Sequence, residues 1–379
     1  MGVTPVAHDT IPVVPAEPVD AARPTRVGRA AAGSTGVRGA SVRADGREID
    51  VVCVGNALMD FLGFADVEVL DSLGLAPGGM TLVDVPTTAR IAHAVGVSRQ
   101  VPGGTVTNTA VGIASLGGSP AFVGAVAADD LGDRYAADLE AEGVVAVLER
   151  FDPVPGDPDA ATGRCLVVVT PDAERTMATA LGVGGRLDRT GVPSEVLGAG
   201  RLVYFDGYLL DLPDAEAIVA TIVASTRAAG GAIALGLADS MLVERHRATL
   251  DWLVADCVDL LFANEQEVVA LTGEATVADA LAALDYDGLV TVATCGAAGA
   301  LVSHGGSIVE IPAVPVEAVV DATGAGDLFA AGVCFGYTHG LGIEDAARLG
   351  ALAAAEVIGH LGARPERSLA ALAGEAGLL

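Results

Sequence analysis

The chain contains no lysine, because all 21 of its basic residues are arginine. The absence of a lysine amine excludes the P-loop lysine of G-x-x-x-x-G-K-S/T, the strand lysine of protein kinases and every Schiff-base mechanism. Basic residues are outnumbered, since 21 of them stand against 49 acidic residues and the formal net charge is −28. A protein of that charge repels phosphate backbones and anionic lipid headgroups, so we expect neither nucleic-acid binding nor membrane binding.

Aromatic residues, cysteines and long apolar runs are few as well. Aromatics make up 4% of the chain, and none of the five cysteines lies in the C-x-x-C spacing of redox and zinc sites. No uninterrupted apolar run reaches about 18 residues, and the first residues lack the apolar core of a secretory signal. No histidine lies in H-E-x-x-H and no serine in G-x-S-x-G. These absences favour a reduced, cytoplasmic protein and argue against a zinc enzyme or a serine hydrolase.

The composition changes near residue 49. Residues 1–48 mix Pro, Ala, Gly, Ser and Arg without a helical or strand period, which is typical of a disordered extension. Their Arg and Ala content also fits a transit peptide, but the acidic residues of this segment argue against that alternative. The buried apolar run IDVVCV then predicts a first core strand. We therefore expect a disordered extension over 1–48 and a folded domain over 49–379.

The rest of the chain alternates between strand-like and helical patterns. Apolar runs such as AFVGAV, RLVYFDG and LLFANE are separated by Ala-rich helical stretches, which is the pattern of βαβ units and a parallel sheet covered by helices. Segments 60–68, 78–86 and 163–181 interrupt this alternation with polar residues and short apolar runs. They predict a small separate sheet that acts as a lid.

The strongest motif is DATGAGD at 321–327, a glycine-rich turn followed by an apolar helix. Such a turn presents free backbone N–H groups and the positive end of a helix dipole, and both favour an anion such as phosphate. The backbone of Gly324, Ala325 and Gly326 is the candidate anion site. Asp327 at its mouth could accept a proton from a hydroxyl that attacks phosphorus. The structural alternative is that Asp327 only caps the helix.

Two further elements could bind a hydroxylated acceptor. The paired glycines Gly103 and Gly104 precede a predicted helix whose first turn carries Asn108, a side chain able to hydrogen-bond a sugar hydroxyl. A plain turn with a helix cap would have the same sequence. Asp60 is expected at the carboxyl end of the first strand, where open α/β sheets bind ligands and a carboxylate can bridge two vicinal hydroxyls. The alternative for Asp60 is an exposed residue at a strand end.

Two strand ends carry groups suited to a nucleotide and a cation. Asn264 and Glu267 follow the strand LLFA, and oxygen ligands without Cys or His suit Mg²⁺. An acidic helix N-terminus gives the same pattern. Thr294 and Gly296 follow the strand LVTVA and offer a hydroxyl and a flexible backbone at the next strand end. Because all these elements follow strands or open helices, they could meet in a single crevice.

These motifs, in this order, resemble those of the PfkB/ribokinase family of sugar and nucleoside kinases. The match runs from residue 49 to about residue 366 and includes VGNALMD, PGGTVTN, ANEQE, TCG and DATGAGDLFAAG. The resemblance implies a ribokinase-like three-layer α/β/α sandwich, with a mainly parallel central sheet and a small β-sheet lid. It also implies transfer of the ATP γ-phosphoryl group to a hydroxyl, with ATP and Mg²⁺ as cofactors.

The resemblance also implies a role for each matching position. Asp327 corresponds to the catalytic base, and Gly324, Ala325 and Gly326 to the anion hole. The residues implied to bind the acceptor are Asn56, Asp60, Gly103, Gly104, Asn108 and Arg175. The residues implied to bind ATP are Asn264, Thr294, Gly296, Gly299, Thr323 and Gly326. Asn264 and Glu267 would organise Mg²⁺ through water.

Within the family, stretches at 79–84, 174–182, 237–247 and 348–366 resemble the bacterial adenosine kinase-like branch. We therefore expect phosphorylation of the 5′-hydroxyl of a ribonucleoside, adenosine to AMP. The base would need an apolar slot, for which the candidates are Leu58, Met59, Phe61 and Phe64. The alternative for these four residues is a role in the core. A free-sugar kinase of the ribokinase or fructokinase kind is the alternative enzyme, and a non-catalytic ligand-binding relative is the alternative from another class.

The chain departs from the family pattern at two loops. The turn at 76–80 lacks the lysine that relatives often carry, and Ala298 replaces a basic residue of the nucleotide loop. The family also includes enzymes activated by a monovalent cation such as K⁺, held by carbonyls near Asp321 and Thr323, and this sequence leaves that property open. Monomers and homodimers both occur in the family.

Overall fold

The computed structural model describes residues 49–75, 77, 79–171 and 175–379. The expected disordered extension over 1–48 lies outside the described residues, as do Ala76, Gly78 and Glu174. The division into an extension and a kinase domain therefore stays a prediction. No helix in the described ranges is both long enough and apolar enough to cross a membrane.

Strands and helices alternate along most of the described chain. The strands are β1 (Ile49–Val54), β2 (Leu58–Phe64), β3 (Met80–Leu82), β4 (Arg99–Gly103), β5 (Pro120–Ala127), β6 (Val145–Phe151), β7 (Gly163–Val169), β8 (Arg175–Ala180), β9 (Gly200–Asp206), β10 (Ala232–Gly236), β11 (Leu260–Asn264), β12 (Val290–Thr294), β13 (Ala300–His304) and β14 (Ser307–Ile311). The helices are α1 (Val67–Leu73), α2 (Val85–Val95), α3 (Thr105–Ser115), α4 (Asp130–Ala141), α5 (Ser194–Leu197), α6 (Ala215–Ala228), α7 (Ser240–Arg245), α8 (Arg247–Asp256), α9 (Glu265–Thr272), α10 (Val277–Ala283), α11 (Ala325–Thr338), α12 (Ile343–Val357) and α13 (Leu369–Glu375).

Within the described residues, the main sheet has nine strands in the order β14-β13-β12-β11-β10-β9-β1-β5-β6. Its strands pair in parallel from β12 to β6, and β13 and β14 add an antiparallel edge. β1 lies inside the sheet. The later strands β5 and β6 are added on one side of β1, and β9 to β12 are then added on its other side, so the strand order reverses at β1. Open α/β sheets bind ligands at such a reversal of strand order, beyond the carboxyl ends of the strands.

Helices cover both faces of the main sheet, because its strands are apolar on both faces. In β1, Val51 and Cys53 pack in the cluster that contains α3, α11 and α12, whereas Val52 and Val54 pack in the cluster that contains α6, α8 and α9. Continuous apolar strands of this kind are stable only between two helical layers. The expected three-layer α/β/α class is confirmed.

The second sheet has five strands among the described residues, in the order β3-β8-β7-β2-β4. Helices α1 and α2 cover one face through a separate apolar cluster that includes Leu70, Ile91 and Leu166. The expected segments 60–68, 78–86 and 163–181 overlap β2, β3, β7 and β8, whereas β4 was not expected. β4 was missed because RQVPG has too few apolar residues to resemble a strand.

The expectation that Asp60 ends the first core strand is wrong. β1 ends at Val54, and Asp60 is the third residue of β2 in the small sheet. The apolar run is nearly continuous from residue 49 to residue 64, so its pattern does not show where the chain leaves one sheet for the other. Gly55 marks that break, since a β-carbon there would lie 2.9 Å from Val106 in α3.

Helices α11 and α12 cross at a contact that requires glycine on both sides. A β-carbon on Gly332 would lie 2.4 Å from the backbone nitrogen of Gly350. The helix backbones therefore approach more closely than any side chain allows. Because α11 begins at the glycine-rich turn, this crossing also fixes the direction in which the turn is presented.

We expect Gly332→Ala to lower the free energy of unfolding by about 1–3 kcal/mol, because the added methyl group must push two backbones apart. Urea denaturation measures this change. Gly374→Ala is the matched control, since Gly374 lies in α13 and has open space where a β-carbon would be added. That control should be neutral or stabilising by up to about 1 kcal/mol. Equal effects of the two substitutions would contradict the crossing as the cause.

Candidate active site

A cavity of about 400 Å³ lies where the small sheet meets the carboxyl ends of the main strands. Asn56 follows β1, Asp206 ends β9 and Ala238 follows β10, and all three line the cavity. Thr323, Gly324 and Asp327 line it from the turn before α11, and other lining residues come from β2, β3, β7 and β8. The cavity therefore occupies the place that the reversal of strand order predicts.

Asp327 lies in the first turn of α11 and faces the cavity. The Asn108 side-chain amide donates to its Oδ2 atom at 2.9 Å, and the Thr109 hydroxyl donates to its backbone oxygen at 3.1 Å. Burial raises the pKa of Asp327 to about 7, the Asn108 hydrogen bond lowers it, and the charges of Asp206 and Asp60 raise it further. A carboxyl with this pKa can take up and release a proton near neutral pH.

The buried side chain of Asp321 holds the turn in place. Its Oδ1 atom accepts the Thr323 N–H at 2.6 Å and forms an ion pair with Arg175 of β8, and its Oδ2 atom accepts the Gly362 N–H at 2.9 Å. Gly324 caps α11 with φ of 80°, a left-handed conformation that favours glycine. The turn therefore has one defined shape, and Arg175 connects it to the small sheet.

The turn offers fewer free N–H groups than the motif suggests. The Ala325 N–H already donates to the Ala322 carbonyl at 3.3 Å, so its contribution to an anion site is reduced. Gly326 and Asp327 belong to the first helical turn, where N–H groups have no partner four residues earlier. Gly326 is exposed, so an anion can reach its backbone. The positive end of the α11 dipole acts at the same place.

Asp60 is partly buried in the cavity wall beside β4. A β-carbon on Gly103 would lie 2.1 Å from its Oδ2 atom, so the carboxylate packs directly against that backbone. Burial raises the pKa of Asp60 to about 7, and the charge of Arg364 acts in the opposite direction. Gly103 itself does not line the cavity, whereas the adjacent Gly104 does.

Asp206 is a further site residue that the sequence reasoning missed. It lies buried at the end of β9, where it accepts a hydrogen bond from the Thr105 hydroxyl at the start of α3. Burial raises its pKa to about 6, although Thr105 and nearby backbone N–H groups lower it. The sequence signal for Asp206 is an acidic residue at the carboxyl end of the strand RLVYFD, because open α/β sheets bind ligands at the carboxyl ends of their strands.

Two amide oxygens at the cavity lack a hydrogen-bond partner among the residues that the structure describes. They are the Oδ1 atoms of Asn56 and Asn108, and both are buried. A buried acceptor left unpaired is unfavourable by about 1–3 kcal/mol, so such atoms indicate a missing partner. A ligand that carries hydroxyl groups would supply the missing donors.

The wall from the small sheet is mainly apolar. Its lining residues include Leu58, Met80, Leu82, Cys165, Val167, Met177 and Leu181. The expected slot of Leu58, Met59, Phe61 and Phe64 is wrong for three of its four members. Alternate side chains of a strand point to opposite faces, so Met59 and Phe61 point away from the face of Leu58 and pack in the core. Phe64 lies at the end of β2 and is 55% exposed.

Asn264 and Glu267 form a capping box at the start of α9. The Asn264 side chain accepts the Glu267 N–H, and the Glu267 carboxylate accepts from the Asn264 N–H at 2.9 Å and from its side-chain amide at 2.7 Å. Burial raises the pKa of Glu267 to about 7. Neither residue lines the cavity.

The other residues expected to bind ATP lie at neighbouring strand ends. Thr294 pairs with Asn264 across β11 and β12, and Gly296 begins the turn after β12. Gly299 packs so closely on the Ile311 carbonyl that a β-carbon would lie 2.1 Å away. These positions lie along the same edge of the main sheet, beyond the cavity. Of the residues expected to bind ATP, only Thr323 lines the cavity itself.

The site combines a carboxyl group whose pKa is about 7, a helix N-terminus, and a pocket that has both polar and apolar walls. This combination suits transfer of a phosphoryl group to a hydroxyl of a small molecule. The chain belongs to the pfkB family of carbohydrate kinases, whose family model matches residues 49–368. It is therefore a phosphotransferase with an alcohol acceptor, a sugar or nucleoside kinase of the ribokinase-like fold.

Solved structures and curated proteins include similar kinases. The crystal structure of adenosine kinase from Sinorhizobium meliloti has a TM-score of 0.81 at 37% identity, over 87% of this chain and 99% of that chain. That of a probable sugar kinase from Rhizobium etli CFN 42 has a TM-score of 0.82 at 35% identity, over 88% and 99%. Cytidine kinase from Thermococcus kodakarensis is 41% identical, over 27% of this chain and 37% of that protein.

We expect Asn264→Ala to lower the free energy of unfolding by about 2 kcal/mol near pH 8, where Glu267 is ionised, because a cap and a donor to a buried carboxylate are lost together. Chemical denaturation measures the change. Thr276→Ala removes an ordinary cap from α10, where the Thr276 hydroxyl accepts the Asp279 N–H at 3.1 Å. This control should lose about 1 kcal/mol. A smaller loss for Asn264→Ala than for the control would be evidence against the capping box.

Proposed function

We propose that the protein transfers the γ-phosphoryl group of ATP to the 5′-hydroxyl of a ribonucleoside, converting adenosine to AMP. The observation that carries the proposal is the composition of one cavity. Asp60, Asp206, Asp327 and two unpaired amide oxygens line it, and aliphatic and sulfur-containing side chains of the small sheet form much of the remaining wall. A nucleoside has the same division, with hydroxyl groups on the ribose and a flat apolar base.

In this proposal Asp327 is the catalytic base. Its ionised carboxylate accepts the proton of the 5′-hydroxyl, whose oxygen attacks the γ-phosphorus as the bond to the β-phosphate oxygen breaks and ADP leaves. Asn108 donates to Asp327 and thereby holds the carboxylate in one orientation. The N–H groups of Gly326 and Asp327, with the α11 dipole, stabilise the negative charge on the transferred group.

The ribose is held from the opposite side. Asp60 accepts hydrogen bonds from the 2′- and 3′-hydroxyls, and the free oxygens of Asn56 and Asn108 line the same cavity as further acceptors that can share these donors. Gly104 lets the sugar approach the backbone at the start of α3. Arg175 keeps its ion pair with Asp321 and offers its remaining N–H donors to the transferred phosphate, since a guanidinium has five donors and binds carboxylate and phosphate in similar ways.

Mg²⁺ fits this site as an ion held by phosphate and water. The described residues contain no group of three His, Cys, Asp or Glu side chains that could hold a metal. Glu267 already accepts two hydrogen bonds from Asn264, so both residues would act through water molecules. When bound, the ion would neutralise charge on the phosphates. The proposed nucleotide contacts along the same edge are Asn264, Thr294, Gly296, Gly299, Thr323 and Gly326.

A free-sugar kinase is the second candidate. The chain is about as similar to the probable sugar kinase of Rhizobium etli as to the adenosine kinase of Sinorhizobium meliloti, and a free sugar would use the same Asp327 and turn. The apolar wall from the small sheet favours the nucleoside, because a free sugar would leave it without a partner.

An ADP-release assay with ATP and Mg²⁺ tests the proposal against adenosine, guanosine, inosine, ribose and fructose. We expect turnover with adenosine, and Asp327→Asn should lower kcat by about 10² to 10⁴ fold while ATP binding is kept. Arg348→Gln, a surface change in α12, is the matched control for expression and folding. Turnover with a free sugar alone would overturn the nucleoside assignment, and full activity of Asp327→Asn would overturn the mechanism.

The pH dependence of kcat provides a separate test. A base must be ionised to accept a proton, and the pKa of Asp327 is raised to about 7. With saturating substrates, kcat should therefore rise about tenfold per pH unit below pH 7 and level off above it. Asn108→Leu removes the hydrogen bond that lowers this pKa, so the rise should move to higher pH. A kcat that does not change between about pH 5.5 and 8 would contradict the assignment of Asp327.

A further inference from the structure

The segment that follows α12 brings a largely buried arginine, Arg364, against α4. Arg364 pairs with Asp138 in α4, and its side chain is 16% exposed. Its Nε and Nη2 atoms are buried and have no hydrogen-bond partner among the described residues. A guanidinium normally uses its donors fully when it is removed from water, so this placement needs a reason beyond the single ion pair.

The surroundings of Arg364 connect it to Asp60. Tyr135 lies one turn before Asp138 on the same face of α4, and its hydroxyl donates to the Gly103 carbonyl at 3.3 Å. The Asp60 carboxylate packs against that same Gly103 backbone. The guanidinium therefore lies behind the wall that supports Asp60, and its charge acts on both Asp60 and Tyr135.

We infer that Arg364 is a positioning residue of the acceptor site, whose positive charge favours the form of the Asp60 carboxylate that accepts two hydroxyl hydrogen bonds. The inference rests on the proposed function, in which Asp60 binds the ribose. An ionised carboxylate offers acceptors on both oxygens, whereas a protonated one uses an oxygen as a donor. Loss of the charge on Asp60 would thus weaken binding of a vicinal diol.

The other groups around Asp60 cannot supply this charge. Those that interact with it electrostatically are the Cys165 thiol of β7, the Tyr135 hydroxyl of α4 and the Asp327 carboxyl of α11. None of these groups carries a positive charge, and on β4 the residue paired with Asp60 is Val101. Arg175, which lines the same cavity, is paired with Asp321. Among the described groups that act on Asp60, Arg364 is the one that favours its ionised form.

The direct test is a carboxyl ¹³C NMR titration of Asp60 in the ligand-free protein, with the resonance assigned by its loss in Asp60→Asn. The pKa of Asp60 should rise in Arg364→Gln by about one unit or more and return toward the wild-type value in Arg364→Lys. Asp138→Asn, which keeps the guanidinium and removes the neighbouring negative charge, should not raise it. Arg348→Gln on the surface of α12 should not change it. An unchanged titration of Asp60 in Arg364→Gln would overturn the inference.

Calorimetric binding of adenosine across pH gives the second readout. Arg364→Gln should raise Kd about tenfold near pH 7, and the difference should disappear above about pH 9, where Asp60 is ionised in both proteins. An increase in Kd of the same size at every pH would indicate a structural role for Arg364 and overturn the inference. If the wild-type protein binds ribose or fructose and not adenosine, the proposed nucleoside is wrong, while the NMR titration still decides the role of Arg364.

Discussion

The carboxylate of Asp321 fixes the groups on which the rest of the site depends. It is buried, and it binds the turn through Thr323, the C-terminal segment through Gly362 and the small sheet through Arg175. A buried carboxylate that loses one such partner is strongly destabilised, so these three segments hold their positions jointly. The shape of the turn that precedes α11, and with it the place of Asp327, depends on this side chain. The close crossing of α11 and α12 supports the same helix from the other side.

The site is acidic inside an acidic protein, and this makes each arginine important. Asp60, Asp206 and Asp327 line one cavity, and burial raises the pKa of each; the charges of Asp206 and Asp60 raise the pKa of Asp327 further. Because the chain has no lysine, every permanent side-chain cation is a guanidinium, whose planar donors are best used in fixed ion pairs. Arg175 is such a case, since its pairing with Asp321 keeps it beside the cavity.

Much of the fold and part of the site could be predicted from local patterns. The turn before α11 and the glycines before α3 were found because each is a short motif that opens a helix. The change of sheet at Gly55 was not found, since it divides one continuous apolar run. Asp206 was missed because no motif surrounds it, and its role arises from a hydroxyl on another element. At Asn264 the pattern could not separate a capping box from a metal site, since both use the same oxygen atoms.

The chain passes repeatedly between the two sheets, and this has a consequence for synthesis. β2 pairs in parallel with β7, although about a hundred residues separate them, so the small sheet lacks its central pair until β7 has left the ribosome. Contacts this distant in sequence form slowly, because the entropy of closing a long loop must be overcome first. Until then β4 can pair with one edge of the apolar strand at Leu58–Phe64, while its other edge stays open. An open edge of an apolar strand is a site of aggregation. A nascent chain halted before residue 163 should therefore be a client of chaperones that bind apolar segments.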